Sequence, residues 1–108
     1  MFNFNESAPD DVSSGQPLTP RFSTGQLLFT PCAFSAMQEH QTSPMELLRR
    51  HRAGDWGTVP KEDAHANEQA LKYGSRLLSS YLIAPDVVIW LITEADRASS
   101  TFLTPSEY

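Results

Sequence analysis

Apolar positions are sparse at the start of the chain and periodic after it. Residues 1–24 are rich in Ser, Pro, Asp and Asn and poor in aliphatic side chains, too little burial to offset the entropy of ordering them. This pattern predicts a disordered tail over 1–24, in which Phe2 and Phe4 either dock on a partner or stay in solvent. The folded unit is expected over 25–108, as one domain. Gln26–Phe29 (QLLF) reads as a short strand. Thr30-Pro31 reads as an N-cap followed by proline at the first helical position, opening a helix that reaches about His40. Ser43-Pro44-Met45-Glu46 has the form of a capping box at the head of a second helix. Met45, Leu47 and Leu48 form the apolar stripe of that helix, and Gly54 is its stop. Asp55-Trp56-Gly57 makes a tight connection. Pro60 opens a third helix, with Glu62 and Asp63 at the favourable end of its dipole and its close at Gly74. The narrow apolar face of that helix (Ala64, Ala70, Leu71) predicts that it lies on the surface of a sheet.

After Gly74 the apolar period shortens towards two. Residues 76–83 and 87–94 read as strands joined by the turn Ala84-Pro85-Asp86. The stretch VVIWLIT is apolar on both faces, which predicts a central strand. A further strand over 100–103 follows a turn at 95–98. The fold class expected is α+β, with N-terminal helices packed on a small, mainly antiparallel C-terminal β-meander of three to four strands. Whether Gln26–Phe29 joins that sheet at an edge or beside the central strand stays open. Pairing Ile83 with Val87 sets a register in which Arg76 faces Glu94 and Ser80 faces Trp90. Closing the next turn in the same way places Thr93 near Thr101. Arg76, Glu94, Asp96, Arg97 and Thr101 are then expected at one end of the sheet.

Composition changes this picture in three places. The 108 residues carry a formal net charge of −5, whereas general nucleic-acid binders show a basic surplus that displaces counterions. Net charge therefore does not indicate nucleic acid, although the consecutive Arg49, Arg50, His51 and Arg52 keep a DNA-binding regulator among the readings. The single cysteine, Cys32, allows no internal disulfide and fits a reducing compartment. It stands at a helix start, where a thiolate is favoured, yet no neighbour in sequence marks it as a nucleophile. The amino end lacks the basic and apolar regions of a secretory signal, and no apolar run spans a bilayer. A cytoplasmic location with no membrane contact is the expectation.

Candidate chemistry is thin. Arg76, Glu94 and Arg97 on an antiparallel sheet behind helices resemble the layout of small endoribonucleases of the barnase–RelE kind. There one side chain moves a proton from the 2′-hydroxyl and arginine stabilises the phosphorane. The plainer alternative is an Arg76–Glu94 cross-strand ion pair beside a charged turn. His51 with Asp55, and Asp63, His65 and Asn67, lack metal-ligand spacing and read as unliganded surface residues. Trp56 and Trp90 read as core aromatics. No Gly-rich phosphate loop, GxSxG elbow or HExxH is present, so neither a cofactor nor a metal is expected.

From Ser43 onward the chain carries SPMELLRRHRAGDWG, then GSRLLSSY, then WLITEADRASSTFLTPSEY. This stretch is similar to a family of small bacterial proteins associated with plasmids and integrated elements, which share an RH–GDWG segment, a WIITEADR stretch and a PxEY ending. The motif positions of the resemblance are His51, Asp55, Trp56, Gly57, Glu62, Asp63, Asn67, Gly74, Arg76, Ser80, Tyr81, Trp90, Thr93, Glu94, Asp96, Arg97, Pro105 and Tyr108. Ala98 stands where the family has serine, which weakens any role for a hydroxyl there, and Phe102-Leu103-Thr104 replaces a more aliphatic strand. The resemblance implies a mobile-element context and no particular activity. With the acidic balance it points to a non-enzymatic accessory protein that binds another protein, one specific form being an anti-defence inhibitor. The binding residues expected are Asp55, Trp56, Arg76, Glu94, Asp96, Arg97 and Tyr108. The alternatives are the small endoribonuclease or toxin, with Arg76, Glu94 and Arg97 catalytic, and the DNA-binding regulator.

Overall fold

The Thr30 hydroxyl accepts a hydrogen bond from the Ala33 amide (3.2 Å), and Pro31 follows at the first helical position, so helix α1 (Pro31–Glu39) begins where the sequence predicts. The computed structural model describes residues 19–108; Phe2 and Phe4 lie outside them. Strand β1 (Gln26–Phe29) precedes α1. Helices α2 (Pro44–Arg52) and α3 (Lys61–Tyr73), strands β2 (Leu77–Ala84), β3 (Val87–Thr93) and β4 (Ser99–Leu103), and a 3₁₀ turn (Pro105–Glu107) follow. The result is an α+β fold with helices ahead of a mostly antiparallel sheet, as expected. Gly74 ends α3 in the left-handed region (φ 79°), a conformation open to glycine at no steric cost. The capping box expected at Ser43 is absent, because the Glu46 carboxylate pairs with Arg49 (3.1 Å) one turn on instead of reaching back. A charged donor on the same helix face outcompetes a neutral amide. The reciprocal box forms instead at Thr104 and Glu107.

The sheet order is β1-β4-β3-β2. β1 takes the outer edge, parallel to β4, and β3 is central between antiparallel neighbours. The first hairpin has the expected pairing along most of its length, Leu77 opposite Thr93 and Ser80 opposite Trp90, but not at the turn: Val87 faces Ala84 rather than Ile83, and a bulge between Leu82 and Ala84 absorbs the extra residue. The second differs by one residue: Thr93 faces Ser100, and Thr101 faces Ile92. The turn closes on a Glu94 amide to Ser99 carbonyl bond (3.0 Å), with Arg97 in the left-handed region (φ 62°). Because a one-residue slip moves every side chain to the other face, this turn puts Ser100 beside Thr93 on the inner face.

Alternation along the strands sorts the two faces. On the inner face Tyr81, Ile89, Leu91 and Phe102 form the main core with Ala33 and Met37 of α1 and Leu47 and Leu48 of α2. A second cluster joins Leu77 to Ala70 of α3 and to Trp56, with Phe22 packed against it. Part of the segment expected as tail is therefore packed. The Phe22 ring stacks on Trp56 (6.2 Å) and meets His51 edge-on (5.1 Å), and Thr24 is buried. One aromatic anchor holds a stretch whose composition otherwise favours solvent.

Helix α3 runs along the outer edge of β2 rather than over a sheet face. The Asn67 carboxamide donates to the Leu78 carbonyl (2.7 Å) and accepts from the Leu78 amide (3.1 Å), standing in for a missing strand. Two residues on, Ser80 donates to the Trp56 carbonyl (3.0 Å) and accepts from the Thr58 amide (2.7 Å). That close approach needs glycine at 57: its φ is 77°, and a Cβ there would sit 1.9 Å from the Ser80 oxygen. The β2 edge is thus closed at Leu78 and Ser80. Asn67→Ala, which leaves both Leu78 groups without their partner, is expected to lower unfolding stability by about 2 kcal/mol in urea titration. An unchanged midpoint would show that water replaces the carboxamide without cost.

Candidate functional site

His51 sits on the inward face of α2, has no solvent exposure and is bonded through both ring nitrogens. Nδ1 lies 2.6 Å from the Ser79 hydroxyl and Nε2 lies 2.9 Å from the Thr93 hydroxyl. Thr93 continues to Ser100 (2.6 Å), and Ser100 donates to the Thr24 carbonyl (2.7 Å). The terminal carbonyl fixes the direction of the chain, since a carbonyl can only accept. Ser100 spends its proton there, so Thr93 donates to Ser100 and Nε2–H donates to Thr93. In the neutral ring Nδ1 is then the acceptor for Ser79. Burial, assisted by the nearby Arg97 cation, lowers the His51 pKa to about 3, so the ring is neutral in ordinary buffers. The expectation of an unliganded surface His51 fails on burial: it is an internal hydrogen-bond hub.

The loop before α3 holds two of the expected binding residues, and both face inward or pair locally. Asp55 accepts from Arg50 (2.7 Å) and from the Gly57 amide (3.2 Å). Burial pushes its carboxyl up, but those bonds outweigh it and hold the pKa below the usual range. The Asp55 carbonyl accepts from the Tyr81 hydroxyl (2.6 Å). Trp56 is buried and donates to Glu68 (3.1 Å), which Arg21 also grips (2.8 Å).

Glu94, Asp96 and Arg97 form the β3–β4 turn. Asp96 accepts from the Ala98 amide (2.9 Å). The Arg97 guanidinium points into the protein, donating to the carbonyls of Ser75 (2.6 Å), Glu94 (3.0 Å), Ala95 (3.4 Å) and Ala70 (3.2 Å). It caps the end of α3 and braces the turn, and its carbon lies 5.8 Å from the Phe22 ring centre. The Glu94 side chain has no polar partner among the described residues and lines a shallow depression with Ala95, Asp96, Ala98 and Ser99.

Arg76 does not form the expected pair with Glu94. Its guanidinium donates to the Tyr108 hydroxyl and lies 5.7 Å from that ring's centre. The Tyr108 ring meets Trp90 edge-on at 5.5 Å. The Tyr108 hydroxyl takes up the guanidinium, and an exposed ion pair, worth about 0–1 kcal/mol, does little to hold it at Glu94. The three side chains stand on the outer face of the sheet, which carries no helix among the described residues. By register that face also holds Leu78, Leu82, Val88, Ile92, Leu103 and Leu28. Leu82 is 58% exposed, Tyr108 68% and Leu28 41%, while Ile92, Leu103 and Ser80 on the same face are buried. Sequence reading missed this patch because VVIWLIT looks apolar on both faces. The signal that could have found it is the number of helices read from residue 25 onward: two short ones cover one face and the third lies along an edge.

At the far end of the turn the Glu107 carboxylate accepts from the Thr30 hydroxyl (2.5 Å), the Thr104 amide (2.8 Å) and hydroxyl (2.9 Å), and the Cys32 amide (3.4 Å). Those bonds, the one from Thr30 first, lower its pKa to about 2. The same carboxylate pushes the exposed Cys32 thiol up, so this helix start does not favour a thiolate. Among the described residues no cluster of three or more His, Cys, Asp or Glu is placed to hold a metal, and no helix is long and apolar enough to cross a membrane.

No family model, curated protein or solved structure matches the chain. Of the seven expected binding residues, the structure brings Arg76 and Tyr108 together with Trp90. It places Asp55 and Trp56 in the α2–α3 connection and Glu94, Asp96 and Arg97 in the β3–β4 turn.

The buried imidazole has a pH signature. Unfolded, His51 takes up a proton near its ordinary pKa of 6.5; folded, it does so only near 3. The unfolded state therefore binds more protons between these values, and stability falls as pH drops below 6.5, by about 1.4 kcal/mol per pH unit at most. Glu107, with its pKa depressed from 4.5, adds its loss only below that value. We expect Tm to decline already between pH 6.5 and 5 while NMR of the His51 ring stays that of the neutral tautomer. A His51 titration centred near pH 6.5 would contradict this assignment.

Proposed function

We propose that this chain is a non-enzymatic accessory protein that works by binding another protein through the outer face of its sheet. One observation carries the reading: an apolar and aromatic sheet face holding Trp90, Leu82, Leu28, Tyr108 and Arg76 has no helix over it among the described residues, while α1 and α2 pack on the opposite face. Exposed apolar surface on a small domain is costly to keep in water and marks an interaction site. Trp, Tyr and Arg together are the residue types that dominate interface energetics. The register makes the patch continuous, since Trp90 pairs with Leu103 on one side and Ser80 on the other, with Leu82 opposite Val88 next along.

The ribonuclease reading draws no support from the same geometry. Arg97 is turned onto main-chain carbonyls and Arg76 onto a tyrosine, so neither guanidinium stands with Glu94 around a shared opening. The DNA-binding reading loses part of its patch, because His51 is buried and Arg50 is paired with Asp55. The mobile-element context and the anti-defence form rest on the sequence resemblance and on the net charge of −5. An inhibitor that displaces nucleic acid by carboxylate mimicry has an affinity that falls with salt.

The test is affinity capture from host lysate with nuclease treatment, comparing wild type with Leu82→Glu, a change at an exposed position that leaves the core untouched. Wild type is expected to retain a stoichiometric protein partner that the variant loses at unchanged Tm. Equal capture by both proteins would remove this face from the function, and recovery of nuclease-sensitive nucleic acid alone would overturn the protein-binding reading.

A further inference from the structure

The outer face already holds one aromatic side chain that does not belong to the sheet. Tyr108 lies beyond the 3₁₀ turn, and the turn has its own anchor in the four contacts of Glu107 to Thr30, Cys32 and Thr104. Past that anchor, the Tyr108 amide donates to the Pro105 carbonyl (3.2 Å), and its ring is held by the Arg76 hydrogen bond and the edge of Trp90. With 68% of its surface in water, the side chain can swing away without disturbing Glu107 or the core. Trp90 is fixed in the central strand, opposite Ser80 and Leu103. Arg76, immediately before β2, reaches the Tyr108 hydroxyl at the other end of the ring. The seat that Tyr108 occupies has two ends: an indole edge beside the ring and a guanidinium at the phenol oxygen.

We propose that Trp90 and Arg76 form a recognition site for a tyrosine side chain of the partner, and that Tyr108 is its built-in placeholder. The proposal rests on the protein-binding reading and names the partner's contact residue. The chemistry is complementary at both ends. The ring fills the step beside Trp90, and the phenol oxygen accepts from Arg76, as the Tyr108 oxygen does here. A phenylalanine satisfies only the first contact and leaves the cation without an acceptor. The placeholder shields Trp90 when no partner is bound and lowers the apparent affinity by the fraction of time it occupies the site.

The test uses the full chain with indole-labelled tryptophan, read by NMR, and a blocked tripeptide Ser-Glu-Tyr with its Phe counterpart as probes. Trp90→Phe assigns the two indole signals. Tyr108→Ala, which keeps the Glu107 anchor, is expected to show a saturable shift of the Trp90 signal at a Tyr-peptide concentration roughly tenfold below that needed by wild type. The Phe peptide is expected to bind more weakly, and Arg76→Gln to abolish that preference at unchanged Tm. An unmoved Trp90 signal in Tyr108→Ala, with its Tm retained, overturns the placeholder. Equal response to the Tyr and Phe peptides overturns the role of Arg76. Loss of partner capture by Leu82→Glu together with an unmoved Trp90 signal leaves the protein-binding face standing and removes the tyrosine site. Peptide binding with capture unaffected by Leu82→Glu does the reverse.

Discussion

The hydrogen-bond chain that starts at His51 constrains most of the molecule. It joins α2 to β2 through Ser79, to β3 through Thr93, to β4 through Ser100 and to the segment ahead of β1 through Thr24. Each of these groups lies in the interior, where an unpaired donor or acceptor costs far more than a satisfied one gains. The chain has one internally consistent direction because it ends on a carbonyl, and that direction demands a neutral ring with its proton on Nε2. Registers that move Ser79, Thr93 or Ser100 to the outer face break it. The one-residue offset in the second hairpin is what delivers Ser100 to this chain, so turn geometry and buried polar pairing specify the same sheet.

Around this hub, several of the residues that carry the resemblance hold the fold together. Gly57 lets the main chain approach Ser80, Asn67 closes the β2 edge at Leu78, Tyr81 ties to the Asp55 carbonyl and Arg97 caps α3 while bracing the β3–β4 turn. Polar side chains spent on main-chain groups are unavailable to a substrate. A small sheet with few helices needs such devices, because its core alone gives a thin stability margin. Their concentration in short motifs explains how a sequence can look site-like and still be architectural.

What remains after this accounting is the outer face. Trp90, Arg76 and Tyr108 make no contribution to the inner core, and Leu82 and Leu28 stand in water beside them. One covered and one open face is a common solution for an antiparallel sheet, but the open face is then usually polar. Here Leu82, Leu28 and Tyr108 put apolar area into water on that face, beside the buried Ile92 and Leu103.

Local signals were legible in the sequence. Thr30-Pro31, Pro60 and Gly74 marked helix ends, and Ala84-Pro85-Asp86 marked the first hairpin turn, because caps and tight turns depend on neighbouring residues alone; the bulge that pairs Val87 with Ala84 had no such mark. Ser43-Glu46 had the same form and failed, since Arg49 offered Glu46 a better partner. The packing of Phe22 and the burial of His51 depended on residues 28 to 76 positions apart, which no local pattern encodes, and the Thr93–Ser100 register, set by a turn only seven residues across, was chosen by the buried partners it delivers. Arg76 illustrates the division: its place ahead of β2 follows from local sequence, while its choice of Tyr108 over Glu94 required the 3₁₀ turn to fold back across the sheet. The sequence by itself determined which segments are helix and strand, because backbone preferences and caps act over a few residues. Tertiary structure decided which polar groups are buried, which edge is closed and which face stays open, because desolvation is settled only when distant segments meet.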